Sequence, residues 1–270
     1  MSHAPVSLPT ARYENLRYEA AGGVATVTVA RPKVMNALND ATLHELADAF
    51  DRAAADDAVR ALVLTGDGEK AFVAGADINE LARMNPLGAK RLAAFGQSVL
   101  DRLERLGKPS VAMINGFALG GGLELALACT LRTMSATARI GLPETSLGII
   151  PGYGGTQRLA RLAGPGVARE WVLTGDMFGA EEAHRVGVVN RVFAPEALRE
   201  GTAKLVATIL SRGPVAVRLA LETIRRGLDM TLTEGLTIET DMFGLAATTA
   251  DMKEGMAAFL EKRKPEFKNQ

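Results

Sequence analysis

The chain has 270 residues, enough for one large domain, or a domain with an appendage, around a sizeable core. Its Lys plus Arg and its Asp plus Glu number 31 each, so no gross basic field argues for a nucleic-acid partner. One cysteine excludes an internal disulfide, and no apolar run approaches the roughly 20 residues that a membrane-spanning helix needs.

Met1 to Thr10 is polar and holds two prolines. It lacks the apolar core of a secretory signal and the Arg-rich pattern of a transit peptide, so the chain reads as soluble and cytoplasmic, with a flexible N-terminus over residues 1–12. Val24-Ala25-Thr26-Val27-Thr28-Val29 alternates as a strand does and stops at Pro32. Asn39 has the character of an N-cap, and Leu43, Leu46, Ala47, Phe50 and Ala54 follow at helical spacing. Val59 to Thr65 is a short apolar strand ended by Gly66-Asp67-Gly68. Leu87 to Leu106 reads as a helix with Leu92, Phe95, Val99, Leu103 and Leu106 on one face, closed by Gly107-Lys108-Pro109. Ser110 to Ile114 is a buried strand, Gly122 to Cys129 a buried helix and Leu131 to Ser135 another strand, and Val188 to Phe193 closes the series. Cys129, inside Leu125-Ala126-Leu127-Ala128-Cys129, reads as an inert buried thiol.

Strands alternating with helices imply α/β architecture over residues 13–195. Beyond Pro195 the spans 196–212, 214–228, 231–246 and 251–263 read as helices. Thr231-Leu232-Thr233-Glu234 and Asp251-Met252-Lys253-Glu254 both have the form of capping boxes. Met252, Met256, Phe259 and Leu260 share one face of the last helix, so either the chain's own body or a neighbouring subunit must cover them.

The chemistry concentrates on two acids. Glu124 follows Gly120-Gly121-Gly122 at the start of an apolar run, and Glu144 follows Gly141-Leu142-Pro143, just ahead of Pro151-Gly152-Tyr153-Gly154-Gly155-Thr156. Carboxylates in apolar, glycine-rich surroundings are poorly solvated, and burial with mutual repulsion can keep one protonated near neutral pH. Alone, Glu124 is commonly a surface carboxylate and Glu144 an ordinary acid at a helix start. The glycines from Gly116 to Gly122 serve either close packing of helix on strand or free N–H groups aimed at developing negative charge. Phe72-Val73-Ala74-Gly75-Ala76-Asp77-Ile78 is a second small-residue loop, and two such loops can supply one N–H each. Asp77 suits a helix cap.

Other chemistries find less support. Gly152-Tyr153-Gly154-Gly155 has Gln157 where the dinucleotide fingerprint needs glycine, and reads instead as a crowded wall leading into a helix. There is no phosphate loop and no Gly-x-Ser-x-Gly elbow. His3, His44 and His184 have no metal-ligand spacing, so no metal is expected. Paired carboxylates also serve glycosidases, but one Trp and three Tyr offer little surface for stacking sugars.

Five ordered motifs together resemble the enoyl-CoA hydratase/isomerase (crotonase) family. They are Arg31-Pro32-Lys33-Val34-Met35-Asn36-Ala37-Leu38, Ala71 to Ile78, Gly116 to Glu124, Pro143-Glu144 through Gln157-Arg158-Leu159, and Phe259-Leu260-Glu261-Lys262-Arg263. The resemblance implies a crotonase spiral of β-β-α units, and a helical C-terminal region over residues 196–270 that builds homotrimers, often paired into hexamers. It implies an acyl-CoA thioester substrate and no separate cofactor, since coenzyme A is the substrate's handle. It implies Glu124 and Glu144 as catalytic acids and the amides of Ala76 and Gly121 as oxyanion hole. Coenzyme A would run along Lys33, Val34, Ala74, Ala76, Asp77, Ile78, Asn79 and Gly121, with Phe259 and Lys262 reaching an adjacent subunit's ligand. Leu123, Gly152 and Tyr153 would wall the acyl pocket. Hydratases of the family carry both acids and simple isomerases commonly keep only the one matching Glu144. The expected activity is therefore enoyl-CoA hydration in fatty-acid β-oxidation or related catabolism. A Δ3-Δ2-enoyl-CoA isomerase and a branched-chain, methylglutaconyl-type hydratase are the alternatives. Asn79 stands where the better-known short-chain hydratases have lysine, and Leu123 and Tyr153 replace smaller residues.

Overall fold

The computed structural model describes residues 12–270, so His3 and the expected flexible N-terminus, Arg12 excepted, lie outside the described residues. Those residues form two compact units. The first runs to Leu106 and continues through Ser110–Ala203; the second comprises Gly107–Pro109 and Lys204–Gln270.

The first unit opens with β1 (Leu16–Ala21) and β2 (Val24–Val29), an antiparallel hairpin turning through Gly22 and Gly23, both at positive φ. Helix α1 (Asp40–Ala55) follows, capped by Asn39, whose side chain accepts from Thr42 N at 2.9 Å. Its buried face is Leu43, Leu46, Ala47 and Phe50, each large apolar side chain contributing about 2 kcal/mol. Then a unit repeats. The next elements are β3 (Ala61–Gly66), β4 (Ala71–Val73), α2 (Ile78–Leu81) and α3 (Pro86–Glu104). They are followed by β5 (Ser110–Ile114), β6 (Phe117–Leu119) and α4 (Gly121–Ala128). Next come β7 (Leu131–Ser135), β8 (Arg139–Gly141), a 3-10 turn at Pro143–Leu147 and α5 (Gly155–Thr174). The unit ends with β9 (Met177–Gly179), α6 (Ala180–Arg185), β10 (Arg191–Phe193) and the first residues of α7 (Leu198–Leu210).

In each repeat the first strand joins one sheet and the second joins another. The six-stranded sheet has the order β1-β2-β3-β5-β7-β10 and is parallel from β2 onward; the four-stranded sheet has the order β4-β6-β8-β9. This alternation is the expected spiral of β-β-α units. β3 and β5 are buried along their whole length, as strands covered on both faces are. Apart from Glu124, α4 is apolar on every face and it is wholly buried, the behaviour of a core helix. Trp171 on α5 is fully buried and stacks on Phe178 with ring centroids 4.2 Å apart, anchoring α5.

In the second unit, α8 (Pro214–Gly227) and α9 (Leu232–Ala246) approach closely where Gly235 meets Gly227: a Cβ on Gly235 would lie 3.6 Å from the Gly227 Cα. Thr231 and Glu234 form the expected capping box. The second expected box is corrected. α10 (Ala250–Leu260) is capped by Thr249, whose hydroxyl accepts from Met252 N. Asp251 lies inside the helix, and its carboxylate accepts from Lys268 N at 2.7 Å and Asn269 N at 3.0 Å instead. Met252, Met256, Phe259 and Leu260 are all exposed. Among the described residues no helix is long and apolar enough to cross a membrane.

Candidate active site

The N-terminus of α4 is the centre of the site. Gly120, at φ 51°, turns the chain out of β6, and its N–H donates to Gly141 O. The N–H groups that open a helix have no partner within it, which leaves the Gly121 amide pointing outward. Glycine is required beyond the turn as well. A Cβ on Gly122 would overlap Val73 O and lie 2.7 Å from that carbonyl's carbon.

The second loop arrives through β4. Leu38 forms a parallel bridge with Ala76: Leu38 N donates to Gly75 O at 2.8 Å, and Asp77 N to Leu38 O at 2.7 Å. In that pattern the N–H of the bridged residue itself faces away from its partner, so Ala76 turns its amide toward the other side. A Cβ on Gly121 would lie 3.6 Å from Ala76 N, which brings the two loops to one spot. The loop is braced by residues whose part the sequence reading did not assign. Buried Asn36, at φ 60°, donates through Nδ2 to Asp67 O and Ala71 O and accepts from Arg31 N. Arg31 in turn donates to Ala37 O and pairs with Asp77 at 3.4 Å. The only trace of this in the sequence is the Arg31 to Leu38 motif itself.

Glu124 sits in the first turn of α4, 1% exposed. Its Oε1 accepts from Tyr153 N and Gly155 N, each at 2.7 Å. Burial pushes its carboxyl up to about 6, against the lowering effect of those two amides and of Arg158. Glu144 is held in the 3-10 turn, which Thr145 ties to α5 by donating from Oγ1 to Val172 O at 2.8 Å. Its Oε2 is buried with no hydrogen-bond partner, and a Cβ on Gly120 would lie 2.9 Å from its Oε1. Burial first, then the nearby charge of Glu124, pushes Glu144 up to about 7. Two acids poised around neutrality thus lie beside two main-chain amides, an arrangement suited to moving protons while stabilising an oxyanion.

One cavity of about 890 Å³ collects these groups. Ala76, Gly121, Glu124 and Glu144 line it, as do Ala74, Ile78, Gly152 and Tyr153. The other expected residues lie elsewhere. Leu123 is corrected: it is fully buried in the apolar core and is not among the residues that line the cavity, because adjacent residues of a helix face different sides. Lys33 and Val34 lie in an exposed turn outside the lining, although Ala74 N, donating to Met35 O, fastens that turn to the cavity rim. The Asp77 carboxylate accepts from Asn79 N and caps α2, and Asn79 lines a neighbouring cleft. Phe259 and Lys262 belong to the second unit and are exposed. Two further residues shape the wall unannounced. Gln97 Nε2 donates to Gly152 O at 2.9 Å, and Arg158 Nη1 to Tyr153 O at 2.9 Å while its guanidinium pairs with Glu104. Arg158 one turn into a glycine-opened helix was the available signal. Cys129 is buried, and burial pushes its thiol up to about 12, in keeping with an inert group. Among the described residues no group of three His, Cys, Asp or Glu is arranged to hold a metal ion.

The family described as "Enoyl-CoA hydratase/isomerase" matches residues 19–270. A protein named crotonyl-CoA hydratase from Syntrophomonas wolfei is 47% identical over 255 residues, covering 94% of this chain and 98% of that one. A short-chain-enoyl-CoA hydratase from Clostridium acetobutylicum is 46% identical over 256 residues, covering 94% and 98%. Among solved structures, an enoyl-CoA hydratase from Bacillus anthracis superposes with a TM-score of 0.92 at 40% identity, covering 95% of this chain and all of that one.

Proposed function

The chain belongs to the enoyl-CoA hydratase/isomerase family, and from that premise we propose that it adds water syn across the double bond of trans-2-enoyl-CoA to give 3-hydroxyacyl-CoA. The observation that carries this reading is the pair Glu124 and Glu144, both raised toward neutrality, in the same cavity as the Ala76 and Gly121 amides.

In this reading the thioester carbonyl accepts from Ala76 N–H and Gly121 N–H. As water attacks C3, electrons move through C2 onto the carbonyl oxygen, and those amides stabilise the enolate-like charge more than the neutral substrate. Losing one such donor costs about 3 kcal/mol of barrier. Glu124, ionised and held in place by two amides, takes a proton from the attacking water. Glu144, protonated, delivers its proton to C2. The pair carries one proton throughout, and transfer from Glu124 back to Glu144 resets it. Support for the division of roles is the asymmetry of the two acids: Glu124 is bonded by donors that favour the anion, and Glu144 Oε2 has none.

Coenzyme A supplies orientation through binding energy remote from the reacting carbons. Its handle would pass Ala74 and Ile78 and leave along Lys33 and Val34. Phe259 and Lys262, exposed on the second unit, would meet the ligand of an adjacent subunit in a trimer or a pair of trimers. The uncovered apolar stripe of α10 supports such an assembly.

Purified protein given crotonoyl-CoA in ¹⁸O-labelled water should lose the conjugated absorbance and place the label at C3. No loss of absorbance with any 2-enoyl-CoA would overturn hydration, and conversion of 3-enoyl-CoA without label in that case would put isomerisation through Glu144 alone in its place.

A further inference from the structure

The ring of Tyr153 spans the gap between two helices. One edge lies at the N-terminus of α4, where a Cβ on Gly121 would sit 3.1 Å from both Cδ2 and Cε2. The other edge is seated on α3, where a Cβ on Gly96 would overlap Cδ1 and Cε1 and lie 2.9 Å from Cγ. Gly96 therefore forms the notch that admits the ring, and Tyr153 is only 5% exposed. The main chain around it is fixed on three sides. Its N–H donates to Glu124, its carbonyl accepts from Arg158, and the preceding Gly152 carbonyl accepts from Gln97.

Beyond the reaction cavity lies a second cleft of about 540 Å³, lined by Asp40, His44, Glu80, Arg83 and Arg91. Met84 and Leu92 border both spaces. Burial, then the carboxylates of Glu124, Glu80 and Asp40, raise the Tyr153 phenol above its ordinary value. Glu80 and Asp40 both line the second cleft.

Building on the hydratase reading of the site, we propose that Tyr153 is the residue that ends the acyl cavity and confines the enzyme to short-chain enoyl-CoA. With the carbonyl on Ala76 and Gly121 and C3 at Glu124, a chain continuing from C3 meets the ring that flanks Gly121 and shares its backbone with the Glu124 anchor. A longer chain must displace a ring wedged in a glycine notch. Failing that, its added methylenes stay in water and forfeit about fourfold in binding each.

The test compares wild type with Tyr153→Ala, Tyr153→Leu and Tyr153→Phe over trans-2-enoyl-CoAs of four to twelve carbons. It also measures calorimetric binding of the saturated acyl-CoAs of the same lengths. The wild type should favour four carbons over ten in both kcat/KM and affinity. Tyr153→Ala and the milder Tyr153→Leu should each move the ten-to-four-carbon ratio upward by about tenfold or more, and Tyr153→Phe should keep the wild-type ratio. Equal losses at every length in both truncations, or a wild type that handles ten carbons as well as four, would overturn the proposal. The two readouts separate the two readings. Length-selective binding without hydration would count against the hydratase assignment and leave the wall standing; hydration without length selectivity would do the reverse. Failure to bind any acyl-CoA would remove both.

Discussion

The backbone amide of Gly155 donates to Oε1 of Glu124 at 2.7 Å, so the residue that opens α5 also sets the orientation of an acid on α4. A Cβ at position 155 would lie 3.0 Å from Glu124 Cγ, 3.1 Å from its Oε1 and 3.1 Å from Leu142 Cδ2. Gly155→Ala should therefore act through the acid. Its kcat should fall about tenfold to a hundredfold from a small misplacement, while crowding costs about 1–2 kcal/mol of stability. Steady-state kinetics beside urea denaturation would show whether the catalytic loss exceeds the structural one.

Glu124→Gln and Glu144→Gln should each lower kcat by about 100- to 10,000-fold, the usual worth of positioned acid–base groups. Their stabilities should differ. Glu144 Oε2 is buried without a partner, so Glu144→Gln should match or exceed the wild-type melting temperature. Glu124→Gln exchanges an anion for a neutral acceptor of two amide N–H groups and should lose some of that bonding. Near-normal turnover in either variant would refute the assignment.

The pH dependence follows from the raised carboxyls. With Glu124 at about 6 and Glu144 at about 7, the singly protonated pair is most abundant between those values, so kcat/KM should trace a bell across that interval. Stability carries the opposite slope to that of a salt-bridged acid. Both groups have folded values above 4.5, so the folded state holds more protons than the unfolded one through this range. Their stabilising contribution is complete below about 4.5 and is lost as pH rises through about 7. The stability of Glu144→Gln relative to wild type should accordingly grow from about pH 4.5 to about pH 7 and then level off, as read by denaturant titrations at stepped pH.

Much of the site was legible because its parts carry strong local signals. Glycines at 120, 121 and 122 answer to a positive φ, an open amide and a carbonyl that would collide with any side chain. Glu124 in front of an apolar run announced burial. The long elements were equally plain, since α1 and α3 repeat their apolar residues at helical spacing over several turns. β4, β6, β8 and β9 are three residues each, too short to show a period, and only pairing in the second sheet defines them. Asp251 satisfied the capping pattern because spacing cannot reveal that Thr249 precedes it in the cap and that Lys268 and Asn269 claim its oxygens. Leu123 neighbours Gly122 and Glu124 in sequence, but on a buried helix adjacent residues face different directions, so it joined the core.

Neighbouring glycines should separate function from folding. Gly121→Ala places a methyl 3.1 Å from the Tyr153 ring and 3.6 Å from Ala76 N, in the space that the proposed mechanism gives to the thioester carbonyl oxygen. It should fold and lose about 100-fold in kcat, comparable to losing an oxyanion donor. Gly122→Ala meets the Val73 carbonyl instead, and the backbone shift should cost about 3 kcal/mol or more. Thermal melts and kinetics on the two variants would read the contrast directly.

Arg132 offers a purely structural test. Buried on β7, it donates through Nε to Val188 O at 2.6 Å and through Nη1 to Cys129 O at 2.6 Å, closing the end of α4. Arg132→Met should strand those carbonyls and cost about 3 kcal/mol by urea denaturation, leaving kcat per folded molecule near wild type.

The anchors of Glu124 are main-chain amides, one of them belonging to the residue whose ring borders the cavity. Every amino acid except proline brings the same N–H to position 153, whatever it shows to the acyl group. Substrate range can therefore drift by single mutations there while the proton-transfer apparatus is inherited intact. A saturation library at that codon would explore new substrates without reopening the question of how the reaction is catalysed.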